Sequence, residues 1–169
     1  MKIKSPKDMI VFYILNPQSG KVLEVCEGGR DNGANIQIWE RHGCGAQKWI
    51  LEPDGSIVNP QSGKALDVDG ANTHDGANVQ LFERNGTGAQ KWVLKSDGSI
   101  MNPNSGKMLD VAGGGIENGT NVQIWEKNGT GAQKWIFQLD PQHQPSEEAL
   151  RHIGVCVCRE QEIYDFANE

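Results

Sequence analysis

The chain has 169 residues, a net charge of −6 at pH 7, 37% hydrophobic residues and 21 glycines. That length suits one domain with a core of its own, held without disulfides or metals, and so much glycine points to turns rather than long helices. An acidic chain without Lys/Arg clusters lacks the footprint of a nucleic-acid binder, and its longest apolar run, Met9 to Leu15, falls far short of the ~18 residues that cross a bilayer.

The basic start, Met1 to Lys7, is followed by no small-residue cleavage site, so no secretory signal is expected. The run 9–15 is instead expected to be a strand. After it comes Asn16-Pro17, then Ser19-Gly20-Lys21, and both recur 43 residues on, as Asn59-Pro60 with Ser62-Gly63-Lys64 and as Asn102-Pro103 with Ser105-Gly106-Lys107. Gln47-Lys48-Trp49, Gln90-Lys91-Trp92 and Gln133-Lys134-Trp135 keep the same spacing. The register holds through all three copies, about 9–53, 54–96 and 97–140, without insertion or deletion.

Within each copy the pattern is that of short strands. Val22 to Val25, Ala65 to Val68 and Met108 to Val111 place apolar residues on either side of one carboxylate. Ile36 to Trp39, Val79 to Phe82 and Val122 to Trp125 alternate as a strand with one wet face does. Lys48 to Leu51 and its copies form a third strand that carries Trp49, Trp92 or Trp135 into the core. Asp54-Gly55 and Asp97-Gly98 are two-residue hairpin signals leading into a fourth. The third copy lacks that returning strand, but Val11 to Leu15 sits one period before Asp54 to Val58, so the two ends can close a ring and leave no sheet edge. The body is expected to be all-β. A propeller would need about 4 to 8 blades, and three copies leave it open.

Three such repeats, each ending in Gln-x-Trp behind a Leu-Asp-Val-like strand and a Val-Gln-x-aromatic strand, resemble the ricin-type lectin family over residues 9–140. The resemblance implies a β-trefoil, three four-stranded units about a pseudo-threefold axis. It also implies shallow pockets, one per repeat, for galactose, N-acetylgalactosamine or xylose-type sugars on glycans or glycoproteins. By that resemblance the strand Asp accepts sugar hydroxyls, the aromatic stacks on the ring, and a nearby Gln orients the carboxylate.

Strand geometry points the same way. Gln123 and Trp125 share a face opposite Val122 and Ile124, and Asp110 is expected to project outward between Leu109 and Val111. A carboxylate, an amide and a flat indole on one surface are what a sugar requires. The third copy (Asp110, Gln123, Trp125) ranks first and the second (Asp67, Gln80, Phe82) next. The first (Glu24, Gln37, Trp39) ranks last, because the longer acid displaces the carboxylate. Gln47, Gln90 and Gln133 are expected to bond loop backbone, with Gln90 and Gln133 also candidates for sugar contact. The family's Asn before Gln-x-Trp is Ala46, Ala89 and Ala132 here. Asn85 or Asn128, with His42 in the first copy, is expected to supply that contact from the other side of the loop.

The competing readings are bland. Asp67 and Asp110 can instead satisfy the Gly-rich loop that follows them, and flanking Lys and Glu residues are solvated faces. One carboxylate per repeat is not the pair that glycoside hydrolysis uses, and no nucleophile elbow or phosphate loop occurs. No enzyme activity and no cofactor are expected. His152, Cys156 and Cys158 match no zinc spacing, so no metal site is expected either. Cys26 and Cys44 suggest reduced thiols rather than a disulfide framework. Asn-Gly-Thr sequons occur at Asn85, Asn118 and Asn128; in a eukaryotic secretory pathway glycans on Asn85 and Asn128 would sit beside the pockets, which favours a cytoplasmic or bacterial setting. Residues 141–169 carry a net −4 and a possible Ser146-capped helix; appendage, partner segment and packed strand pair all stay open. The alternative function is a trefoil protein-interaction or toxin-partner module whose sugar sites have decayed.

Overall fold

The computed structural model describes residues 9–143; the expected helix at Ser146 and the His152, Cys156 and Cys158 group lie outside the described residues. Each repeat supplies four strands. The first holds β1 (Val11–Asn16), β2 (Lys21–Val25), β3 (Ile36–Trp39) and β4 (Trp49–Leu51). The second holds β5 (Ile57–Asn59), β6 (Lys64–Val68), β7 (Val79–Phe82) and β8 (Val93–Leu94). The third holds β9 (Ile100–Asn102), β10 (Lys107–Val111), β11 (Val122–Trp125) and β12 (Ile136–Leu139). Among the described residues there is no α-helix, and none long and apolar enough to cross a membrane.

Alternation drives the middle hairpin of each repeat. Leu23 faces Ile38 and Val25 faces Ile36 across β2–β3, and all four are fully buried. The same register repeats in β6–β7 and β10–β11, where Asp67 faces Gln80 and Asp110 faces Gln123. β1 pairs with β12, β2 and β4, so the first and last strands meet as the shifted period implies. Backbone bonds from Trp92 N to Gly55 O and from Trp135 N to Gly98 O, both 2.9 Å, tie the end of the second and third repeats to their own beginnings.

The three Gln-x-Trp indoles enter one core with Phe12, Phe137, Leu23, Leu66 and Leu109. Each indole N–H donates to the backbone carbonyl before the strand carboxylate: Trp49 to Leu23, Trp92 to Leu66 and Trp135 to Leu109, at 3.0–3.1 Å. Trp92 and Trp135 stand just before β8 and β12 rather than on them, a small correction to the expected third strand. Each is held there by its backbone bond to Gly55 O or Gly98 O together with its indole bond.

A second correction concerns the Asp-Gly turns. Glu52 and Ser56 bracket three residues, not two, because Glu52 N bonds Ser56 O while Gly55 N bonds Glu52 O. Asp54 Oδ1 accepts from Ser56 N and Oγ, and Gly55 takes φ +92°, a conformation that side chains disfavour. The side-chain bond of Asp54 adds a residue to the loop that the dipeptide signal alone does not show.

The repeated Asn-Pro motif is a latch. Asn16, fully buried, donates from Nδ2 to Gly131 O and Lys134 O at 2.9 and 3.0 Å, while its Oδ1 accepts from Ser19 N and Oγ. Asn59 and Asn102 do the same within the body. Asn16 thus ties the start of the chain to the last Gln-x-Trp turn. Asn16→Ala takes the donor from two half-buried carbonyls and is expected to cost about 2–3 kcal/mol. Thermal unfolding should fall by roughly 5–10 °C, and an unchanged midpoint would remove the latch from the stability of the fold.

At the pseudo-threefold axis Asn35, Asn78 and Asn121 close a ring of side-chain bonds at 2.7–2.8 Å. Around it each hairpin bonds the preceding or following repeat, as in Ile124 N to Ala77 O and Gly76 N to Ile124 O. The outer edge of each third-position strand is therefore held by a neighbouring copy.

Candidate functional site

β10 and β11 bring Asp110, Gln123 and Trp125 together, as their register requires. Leu109 and Val111 are fully buried in the core, so Asp110 points to the other face. It does not project into open solvent, however. Asp110 is only 4% exposed, because two amides cover it. Gln123 Nε2 donates to its Oδ1 at 3.1 Å and Gln133 Nε2 to its Oδ2 at 2.9 Å. A carboxylate accepts about four bonds, so lone pairs remain on both oxygens for a ligand. The acid is the floor of a pocket rather than a surface group.

That pocket, of about 320 Å³, is walled by Trp125 and Gln123 on one side and by Gly113, Gly114, Asn128, Thr130 and Ala132 on the other, with Gln18 at its edge. Trp125 is 37% exposed and presents an apolar plate beside the carboxylate. Its position comes from the preceding repeat. Asp75 Oδ1 accepts from Glu126 N at 2.8 Å and pairs with Lys107 Nζ at 3.3 Å. Gly76, at φ +88°, lies so close behind the ring that a Cβ there would stand 3.7 Å from Trp125 Cζ3.

Gln133 is buried. Besides Asp110 it donates to Glu126 O at 2.9 Å, and its Oε1 accepts from Asn128 N at 3.0 Å. The structure places Gln133, and Gln90 with the same three partners in its copy, behind the carboxylate as positioning residues. Both Nε2 protons of each are spent and each side chain is buried behind the carboxylate, so neither presents a donor to the pocket. Asn128 lines the pocket, but its Oδ1 accepts from Thr130 N and Oγ1, so only its Nδ2 is left to donate inward. Asn85 has the same bonds to Thr87. Ala132 both lines the pocket and packs into the core, offering no amide.

The second copy repeats this arrangement, with Asp67 buried under Gln80 at 3.1 Å and Gln90 at 3.0 Å and with Phe82 partly exposed. The first differs. Glu24 is buried too, accepting from Gln37 on Oε2 and from Gln47 on Oε1. Its Oε1 also contacts His42 Nε2 at 3.0 Å, so the His42 ring occupies one acceptor that a ligand would need. Gln37 is buried and Trp39 is partly exposed.

Burial pushes the Asp110 carboxyl above its ordinary range, opposed by the Gln133 and Gln123 amides and assisted by the charge of Asp75. Asp67 shifts the same way for the same reason, with Asp69 as the assisting charge. Asp97 and Asp54 move down instead, chiefly through bonds from Lys127 and Ser99 to the first and from Ser56 to the second.

Sequence reading missed Gln18, whose Nε2 donates to Gly114 O at 3.1 Å from a different repeat. No periodicity within one copy signals a contact between copies. It also missed that Glu24, His42 and Cys44 converge. The signal was available, since those three positions are Asp, Asn and Thr in both other copies.

Comparison with known proteins agrees with this architecture. Residues 11–135 match the ricin-type beta-trefoil lectin domain. Among solved structures, the designed threefold-symmetric protein ThreeFoil is 34% identical with a TM-score of 0.72, covering 77% of this chain and 98% of its own. An exo-beta-1,3-galactanase from Clostridium thermocellum is 35% identical with a TM-score of 0.70, covering 75% of this chain but only 29% of its own. The Rhizoctonia solani agglutinin is 26% identical with a TM-score of 0.65, covering 81% and 98%. A comparison with curated protein sequences returns no match. The chain belongs to the ricin-type β-trefoil lectin family, and its general activity is carbohydrate binding.

Proposed function

We propose that the chain is a non-catalytic lectin for galactose- or N-acetylgalactosamine-type, or xylose-type, units of glycans and glycoproteins, with the third-repeat pocket as its leading site. The pocket floor carries the reading: a carboxylate with free lone pairs, set by two amides, beside the exposed face of Trp125. The acid accepts hydroxyls from one edge of a sugar while the indole covers its C–H face. The galactanase among the neighbours, an enzyme named for a galactose polymer, supports the choice of sugar. The second pocket, with Asp67, Gln80 and Phe82, binds more weakly because Phe offers a smaller plate. The first is weakest because His42 competes for Glu24. Two working pockets on one rigid body raise avidity on a glycan surface by roughly 100-fold or more. Free thiols at Cys26 and Cys44 fit a reducing, cytoplasmic setting.

A glycan array tests this reading, with Trp125→Ala beside the native protein. Galactose- or N-acetylgalactosamine-ended signals are expected from the native chain. The variant should bind free sugar about tenfold more weakly, the loss of one stacking contact worth about 1–1.5 kcal/mol, and its unfolding temperature should hold because the ring is exposed. A folded native chain silent on every glycan would favour the interaction module instead. Ala46, Ala89 and Ala132, where the family carries Asn, are the observation on that side.

Acid should remove binding before it removes the fold. Sugar hydroxyls need the ionised form of Asp110, and burial raises the pH at which that form is lost. Affinity is therefore expected to be level near neutrality and to fall at a higher pH than an exposed Asp would give. Because the folded-state carboxyl is raised, ionising it costs stability, so protonation there does not unfold the chain. Asp97 and Asp54, lowered, contribute stability that persists further into acid. Calorimetric titration with free sugar beside circular dichroism across acid pH checks the order; coincident loss of both would refute it.

A further inference from the structure

The first repeat departs from the other two at three positions that meet in space. Glu24, His42 and Cys44 stand where the second copy has Asp67, Asn85 and Thr87 and the third has Asp110, Asn128 and Thr130. In the other copies the loop holds the Asn and Thr side chains in contact, Asn128 Oδ1 to Thr130 Oγ1 at 2.8 Å. The same loop position in the first copy holds His42 Nε2 3.8 Å from Cys44 Sγ. The added methylene of Glu24 carries its Oε1 to 3.0 Å from the same nitrogen. One carboxylate oxygen, one imidazole nitrogen and one sulfur thus all lie within 4.8 Å of one another.

From these positions we propose that the first repeat binds a zinc ion through Glu24, His42 and Cys44. Zinc takes mixed O, N and S donors in tetrahedral geometry. Its usual bond lengths put N and O ligand atoms about 3.3 Å apart, and N and S about 3.6 Å apart. The observed separations of 3.0 and 3.8 Å need only small movements to meet those values. His42 binds as neutral imidazole through Nε2, giving up its contact with Glu24, and the Cys44 thiol releases its proton to solvent as sulfur binds the metal. Gln47, which donates to Glu24 Oε1 at 3.2 Å and accepts from His42 N at 3.0 Å, orients two of the three ligands from behind. His42 is 44% exposed and Cys44 is exposed, so the ion has an entry path and a water takes its fourth corner. The ion would take over the carboxylate that serves the sugar in the other copies, which makes the first pocket a metal site rather than a weak lectin site.

Zinc chloride, titrated in competition with a chromophoric chelator, tests this on the full chain at neutral pH. A Cys156→Ser/Cys158→Ser background keeps those thiols out of the readout. Uptake of one ion per chain with proton release is expected. Cys44→Thr and His42→Asn, which install the residues found in the other copies, should each weaken it by about 100-fold or more. Cobalt in place of zinc should show near-ultraviolet thiolate charge transfer that Cys44→Thr abolishes. Circular dichroism of both variants should match the parent without metal. Absence of uptake would overturn the proposal and leave Glu24–His42 as a plain hydrogen-bonded contact, and uptake undiminished in both variants would overturn it by placing the ion elsewhere.

Discussion

Asp110→Ala is expected to lower the affinity of the third pocket for free sugar by on the order of 100-fold or more. Asp110 is the pocket floor, and on the proposed reading its two oxygens accept the sugar hydroxyls. Hydrogen bonds to a charged partner contribute about 1.5–3 kcal/mol each, so losing two exceeds what one ring contact can replace. Asp110→Asn should be nearly as severe. An amide of the same shape turns an N–H toward either Gln123 or Gln133, both of which already donate there. Asp110→Ala also leaves the Gln123 and Gln133 amides without their acceptor, at a cost of about 1–3 kcal/mol each. That cost is partly offset because burial already disfavours the charge, so circular dichroism accompanies each variant. Calorimetry with monovalent sugar is the measurement, since an immobilised glycan would let the second pocket mask the loss. Undiminished affinity in Asp110→Ala would move the binding site away from this carboxylate altogether.

Trp135→Ala should have the largest effect on stability, roughly 3–5 kcal/mol. The indole is 1% exposed in the common core, and its N–H donates to Leu109 O at 3.1 Å, one residue from the pocket acid. Truncation opens a large cavity and leaves that carbonyl without its donor. For a domain of this size the unfolding temperature should fall by roughly 10–20 °C. Trp135→Phe retains most of the volume and should lose less, chiefly the N–H bond. Trp125, ten residues earlier, should give the opposite pattern, with binding lost and stability held. Differential scanning calorimetry of the three variants separates the two indoles, and a mild Trp135→Ala would show that the core closes over the gap.

These two tryptophans also show how far the residues alone carry the reading. Trp135 recurs at the same point of every copy, which assigns it to the threefold core, and strand alternation assigns Trp125 to the outer face. The 43-residue period likewise announced three equal units and placed β1 as the strand missing from the third. Other features were invisible in that pattern. The side-chain bond of Asp54 turned a two-residue hairpin into a three-residue one. Gln133 bonds loop backbone as expected, yet its bond to Asp110, on a strand 23 residues away, has no signature within the motif. Asp110 seemed to face solvent because alternation distinguishes two faces of a strand but cannot say what covers either.

Local chemistry, repeated three times, thus settles the strands, their inward faces, the threefold core and the residue types that come near one another. That follows from short-range physics: a period of two along each strand and a period of 43 along the chain leave little freedom in what is buried. What a single repeat cannot specify is how copies meet. Gln18 reaching Gly114, Asp75 pinning β11 behind Trp125 and Asn16 clasping Gly131 are contacts across repeats. They arise only when the ring closes, because each joins groups far apart in the chain. Small differences between copies then take on separate meanings: Asp110 becomes the floor of a pocket, while Glu24, His42 and Cys44 become neighbours.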